Sequence, residues 1–220
     1  VTGHEELGRA ADVMRRVHDT CVWSRAMTHE ALVPYLVEES AEVVDAVEQS
    51  DRAGLREELG DLLWQVLFHA EIAASDPEDP FTLEDVAHDL AEKMTRRHPH
   101  VFAGETAETP ERVLELWNAA KAEEKRERTS VLDGIAGSMA SLALAQKMLG
   151  KGEAVGAGED VAVAAHDAAL VGAAPESEEE LGDLLLTLVA SARQNGWDAE
   201  RALRGRLRGL AGEIRASEQR

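Results

Sequence analysis

With one cysteine, Cys21, the chain can form no intrachain disulfide and no cysteine-built zinc site. That usage fits a reducing compartment. Long apolar runs are absent too. The longest, 62–68 and 184–190, fall far short of the roughly 20 residues a membrane helix needs. The opening, VTGHEELGRA, is polar and charged and carries no signal-peptide pattern. Its first residue is not methionine, which leaves room for an upstream segment. Positive charge is scarce: 23 Lys and Arg stand against 43 Asp and Glu, a formal net charge of −20. Such a surface is expected to repel nucleic-acid backbones and anionic membranes, so neither is expected as a partner. A small polyphosphate arriving with its own divalent cations is not excluded. The expectation is a soluble, cytoplasmic protein.

What is present favours helices. Hydrophobic residues make up 44% of the chain but aromatics only 4%, and Ala, Leu, Glu and Arg dominate. Leu7, Ala11, Met14 and Val17 form one helical stripe. Thr28 is a natural N-cap for a helix to about Gln49, with Leu32, Leu36, Val43 and Val47 as its apolar set. Asp51 caps a helix from about Arg52 to Ala74, and the prolines of SDPEDP at 75–80 interrupt the pattern. A further helix runs from Thr82 to about Arg97, stopped by His98-Pro99. Thr109-Pro110 opens another to about Arg126. In the second half, helices are expected near 133–149, 176–195 and 198–217, with a weak one at 159–171 in a Gly- and Ala-rich stretch. No stretch alternates as a strand, so the expected class is all-α.

The chain also repeats itself. EELGDLL occurs at 57–63 and again at 179–185, each time continuing into an apolar helix and then a turn and another helix. Two related helical units follow, expected at 1–130 and 131–220.

Glu39 and Glu42 lie three apart on one expected helix, and Glu58 and Asp61 lie three apart on the next. Residues i and i+3 project from one face, and a short connection lets an antiparallel pair turn these faces together. Four carboxylates so gathered repel one another unless a cation sits between them, and oxygen-only donors suit Mg²⁺ or Mn²⁺. The plain alternative is a solvated acidic face, common in a chain this acidic. Gly60 bears on the choice, because glycine inside a helix costs about 1 kcal/mol relative to alanine. A site needing close backbone approach would account for it.

Lys93, Arg96 and Arg97 precede His98-Pro99-His100. Cations one turn apart can bind phosphate oxygens, or can simply complement the dipole of a helix C-terminus. His-Pro-His fits a capping turn better than a metal site. Trp23, Trp64 and Trp117 could each stack on a nucleobase, with Trp64 better suited to the core. Trp117 and Lys121 share a face, either to hold a base and a phosphate or as a packed helix with a snorkelling lysine.

PYLVEESAEVVDAV, REELGDLLWQVLFHA, EKMTRRHPHVF and LELWNAAKAEEK, in that order between about Cys21 and Lys125, resemble the MazG family of nucleoside triphosphate pyrophosphohydrolases. The duplicated unit is also a feature of that family. The resemblance implies hydrolysis of an NTP or dNTP to the monophosphate and pyrophosphate. It implies that Glu39, Glu42, Glu58 and Asp61 coordinate Mg²⁺, with Mn²⁺ as a substitute. It implies that Lys93 and Arg97 contact the triphosphate, that Trp117 and Lys121 border the nucleotide, and that Tyr35 to Glu38 line the site. It also implies a homodimer. Glu38, beside a ligand, is a candidate for orienting the attacking water, or else faces outward.

Two departures from the family pattern matter. Cys21-Val22-Trp23-Ser24 stands where the family often has C-P-W-D, which bears on base selection near Trp23. In the second unit only Glu180 and Asp183 recur; Val163 replaces an acid, and Gly209 and Glu213 stand at the positions matching Lys93 and Arg97. The second unit is therefore expected to be catalytically silent and to serve packing or dimerisation. Two other functions fit parts of the pattern. One is a sibling pyrophosphohydrolase acting on dUTP or phosphoribosyl-ATP, which the duplication and RRHPHVF disfavour. The other is a non-catalytic helical scaffold, which has no need of the intact first set of acids and cations.

Overall fold

The computed structural model describes residues 5–157 and 175–218, and every regular element among them is helical. The chain divides into two compact units, Val1–Glu124 and Lys125–Arg220.

In the first unit α1 (Glu5–Thr20), the short α2 (Val22–Arg25) and the long α3 (His29–Glu48) and α4 (Arg52–Ala74) come first. The α3–α4 hairpin is the main structural pair. Thr28 accepts the Ala31 N–H at the start of α3, and the Asp51 carboxylate accepts the Ala53 and Gly54 N–H groups at the start of α4. Between the helices Ser50 adopts a left-handed backbone, φ 58, which reverses the chain within three residues. Pro34 lies inside α3 and cannot donate the usual hydrogen bond to the carbonyl four residues back.

α1 packs on α4, and Ala11, Met14, Leu32, Leu67 and Phe68 form a buried core with Trp64 and Ile72 against it. Burial of each of the large side chains contributes about 1.5–3 kcal/mol. Val47, expected on the apolar face of α3, is 56% exposed, and Ala46 takes the buried position instead. The hairpin draws the backbones close there, so the smaller residue faces inward.

α5 (Leu83–Arg97) packs on α4, and the short α6 (Pro99–Phe102) and α7 (Pro110–Glu123) follow it. Thr82 and Asp85 form a reciprocal capping box at the head of α5, with both backbone N–H groups satisfied. α7 ends at Glu123, earlier than the expected Arg126.

In the second unit α8 (Ser141–Gly152) continues into a single 3₁₀ turn, Glu153–Val155, and packs against α9 (Glu178–Gln194) and α10 (Ala199–Glu218). The helix expected at 133–149 begins only at Ser141. Asp133 accepts the N–H groups of Thr129 and Ser130, and Gly134 has φ 76, so local turn chemistry holds the preceding segment out of the helix. The Gln146 amide ties α8 to the next turn, donating to the Trp197 carbonyl and accepting from the Ala199 N–H. The weak helix expected at 159–171 lies outside the described residues. An apolar cavity of about 480 Å³ is lined by Val131, Leu132, Leu144, Met148, Leu149 and Leu186 among others, and among the described residues no charged side chain lines it.

Thr82→Ala removes the side-chain acceptor at the head of α5. It is expected to lower unfolding free energy by about 1 kcal/mol, seen as a lower urea midpoint at unchanged slope.

Candidate active site

On α4, Glu58, Asp61, Gln65 and His69 fall at i, i+3, i+7 and i+11, one face of the helix. α3 packs along α4 and brings Glu39 to that face. One carboxylate oxygen from each of Glu39, Glu58 and Asp61 lies within 4.8 Å of the others, with Glu39 and Glu58 half-buried and Asp61 exposed. Glu42 lies outside this convergent trio but close enough to Glu58 for its charge to raise that carboxyl.

The electrostatics carry the mark of crowding. Burial, then the charges of Asp61, Glu42, Glu38 and Glu58, raise the Glu39 carboxyl above its ordinary range. Burial, then Glu42, Glu57 and Asp61, do the same to Glu58. Three convergent oxygens with no basic partner among the causes of these shifts make a donor set suited to a hard divalent cation. The fit is chemical: all donors are carboxylate, and a cation removes the repulsion that the protonated forms would otherwise relieve.

A Cβ at Gly60 would meet no atom within 4 Å among the described residues, so no close approach by another part of the protein itself accounts for the glycine.

The basic and aromatic candidates divide between α5 and α7. Lys93 is half-buried on α5, and among the described residues no hydrogen bond or ion pair engages it. Arg97, one turn on, is held by Glu124: Nη2 donates to Oε2 at 2.6 Å and Nε to the same oxygen at 3.1 Å. Its guanidinium carbon lies 5.1 Å from the centroid of the Trp117 ring. Arg97 thus places a cation on Trp117. His98 packs edge-on against the same ring, and its Nδ1–H donates to the Met94 carbonyl at 2.6 Å. Trp117 and Lys121 are both half-buried on α7. Tyr35 is 40% exposed on α3 and meets Trp23 edge-on, and Trp23 in turn meets Phe68. Glu38 is exposed next to Glu39. Trp64 packs against the core.

Three features escaped the sequence. His29 and His69 stack with rings 4° from parallel, and their Nδ1 atoms are 2.7 Å apart. Burial and then the charge of His29 push the His69 imidazole below its usual pKa. Gln65 is buried one turn beyond Asp61, and among the described residues its Oε1 has no hydrogen-bond partner. Glu124 was legible in principle: it stands at i+7 from Trp117, on the same face as Lys121.

The second unit arranges its copy of the motif differently. Glu58 is the seventh residue of α4, whereas Glu180 is the third of α9. Near that helix start the Glu180 carboxylate accepts the Glu176 N–H at 2.7 Å. Among the described residues, no convergent acidic group includes Glu180 or Asp183. Gly209 lies on α10, and Glu213 pairs with Arg206 at 3.1 Å. Position 163 lies outside the described residues.

An all-helical unit with a carboxylate cluster on facing antiparallel helices, followed by a helix carrying Lys93 and Arg97, defines the class. Residues 27–102 match the MazG nucleotide pyrophosphohydrolase domain. Over 217 residues the chain is 37% identical to the Escherichia coli K12 protein named nucleoside triphosphate pyrophosphohydrolase, covering 90% of this chain and 81% of that one. A Thermotoga maritima protein named nucleoside triphosphate pyrophosphohydrolase/pyrophosphatase MazG is 34% identical, covering 98% of this chain and 85% of that one. An uncharacterized 26.1 kDa protein of Streptomyces cacaoi is 44% identical, covering 94% and 80%. The chain belongs to the MazG family.

The raised carboxyls set a sign for stability. A carboxyl with a raised folded pKa contributes stability that is full below its unfolded value, near 4.5, and lost as pH rises through the folded value. Without divalent ions, Glu58→Gln is therefore expected to melt above the parent at neutral pH, and the gap should close as pH falls toward 4.5. Mg²⁺ is expected to raise the melting temperature of the parent and to leave that of Glu58→Gln little changed. Gly60→Ala, entering open space, is expected to stabilise the fold by about 0.4–1 kcal/mol in urea unfolding.

Proposed function

We propose that this protein is a nucleoside triphosphate pyrophosphohydrolase, cleaving NTPs or dNTPs, damaged ones among them, to the monophosphate and pyrophosphate. The observation that carries the reading is the convergence of Glu39, Glu58 and Asp61 in a first unit that also brings Lys93, Arg97 and Trp117. The relatives named above supply the reaction class.

In this reading Glu39, Glu58 and Asp61 hold Mg²⁺, with Glu42 completing the set and Mn²⁺ able to substitute. When bound, the ion supplies Lewis acidity, drawing charge from a phosphoryl oxygen and lowering the pKa of water. Glu38 orients the attacking water and receives its proton. Water adds at the α-phosphorus, the α–β phosphoanhydride bond breaks, and the electron pair leaves with pyrophosphate. Lys93 and Arg97 offset the charge growing on that leaving group. Tyr35, Trp117 and Lys121 border the nucleotide.

The working form is a homodimer. Leu59, Leu63 and Val66 on α4, and the repeat-related Leu181, Leu185 and Leu188 on α9, are all exposed large apolar side chains. Stripes of this kind call for a covering partner. The second unit, 131–220 in the sequence division, serves packing or dimerisation without catalysis. No helix among the described residues is long and apolar enough to cross a membrane. The cytoplasm, where nucleotides are abundant and thiols reduced, suits the substrate and the single cysteine.

Glu58→Gln and Asp61→Ala are each expected to cut pyrophosphate release by about 100-fold or more, measured against an NTP and dNTP panel with Mg²⁺ and with EDTA. Glu180→Gln is expected to match the parent. Full activity in the first two variants, or loss in the third with the fold intact, contradicts the assignment.

A further inference from the structure

We propose that Glu124 is the positioning residue for Arg97, fixing one edge of its guanidinium so that the other is presented ready-made to a phosphate. The inference rests on the reading of Arg97 as a triphosphate contact.

A guanidinium offers two donor edges: Nε with Nη2 along the side, and Nη1 with Nη2 at the end. Glu124 occupies the side edge, its Oε2 accepting from Nη2 at 2.6 Å and from Nε at 3.1 Å, while Oε1 lies 3.3 Å from Nε. Among the described residues no acceptor engages Nη1. The end edge therefore remains free for two oxygens of a phosphate, the bidentate geometry arginine provides best.

The fork is locked from a second direction. Trp117 lies under the guanidinium at 5.1 Å, and His98, its own Nδ1–H bound to the Met94 carbonyl, presses edge-on against that ring. The Arg97 side chain is 12% exposed and that of Glu124 20%, so solvent competes little for the pair. A free arginine must surrender rotamer freedom when it meets a ligand; this one has already done so. The acid does not cancel the attraction for phosphate, because Arg96 also reaches Glu124, at 3.5 Å, and the three groups retain one net positive charge. Trp117 and Glu124 sit at i and i+7 on one face, Glu124 as the C-cap of α7, so this helix and its cap deliver both halves of the clamp together.

The test is a double-mutant cycle on the full chain, with kcat/KM for a dNTP and inhibition by inorganic pyrophosphate as readouts. Glu124→Ala is expected to lower kcat/KM about tenfold and to weaken pyrophosphate inhibition by a similar factor. Glu124→Gln, whose amide oxygen still accepts from the side edge, should recover part of both. In an Arg97→Ala background, Glu124→Ala should add less than about twofold. The rise in melting temperature on adding Mg²⁺ should be the same in every variant, separating a lost clamp from a damaged fold. Independent, multiplying effects of the two substitutions overturn the proposal. So does a Glu124→Ala enzyme that equals or exceeds the parent, the result expected if Glu124 only blocks Arg97. An Arg97→Ala enzyme with full activity overturns the underlying reading of Arg97, and the clamp with it.

Discussion

Mutual repulsion among carboxylates is the constraint around which the first unit is arranged. Glu39, Glu58 and Asp61 are kept within 4.8 Å although two of them are pushed toward protonation by burial and by one another. Only a stiff frame can hold such a group together without a cation. The α3–α4 hairpin supplies it, with a side-chain cap at the head of each helix, a three-residue reversal at Ser50, and a core of Met14, Leu32, Leu67 and Phe68 on its flank. The stability invested in this pair is what allows a locally unfavourable charge arrangement to persist, and that arrangement is what a divalent ion would find attractive.

α5 and α7 add charge of the opposite sign, and in a chain of net −20 their few cations must be handled with care. Lys93 is left without a partner among the described residues, whereas Arg97 is tied to Glu124 and stacked on Trp117. The two cations therefore differ in kind. One is a point charge on a four-carbon stem; the other is a planar fork held in place by its neighbours.

Features settled by nearest neighbours were legible in the sequence. Thr28, Asp51, Thr82 and Thr109 each cap the helix they precede, because an N-cap bond needs only a short oxygen-bearing side chain and the next three residues. The acid pairs were legible for the same reason, since their spacing on a helix is fixed. The start of α8 was misread because the Asp133–Gly134 turn competes locally with the apolar periodicity around it. The His29–His69 stack and the Arg97–Glu124 fork join residues 40 and 27 apart. No local pattern announces them; they exist only once the helices have packed. The open space at Gly60 is likewise invisible until the surroundings are known.

The two EELGDLL segments have the same letters and different environments. In α4 the first glutamate of the pair sits well inside a helix, opposite another helix's acid; in α9 its counterpart lies close to the helix start and accepts the Glu176 N–H. One difference is where the helix begins. The same seven letters thus meet different neighbours in the two units. Matched letters alone do not make two equivalent sites; what separates the copies is which neighbour each carboxylate meets.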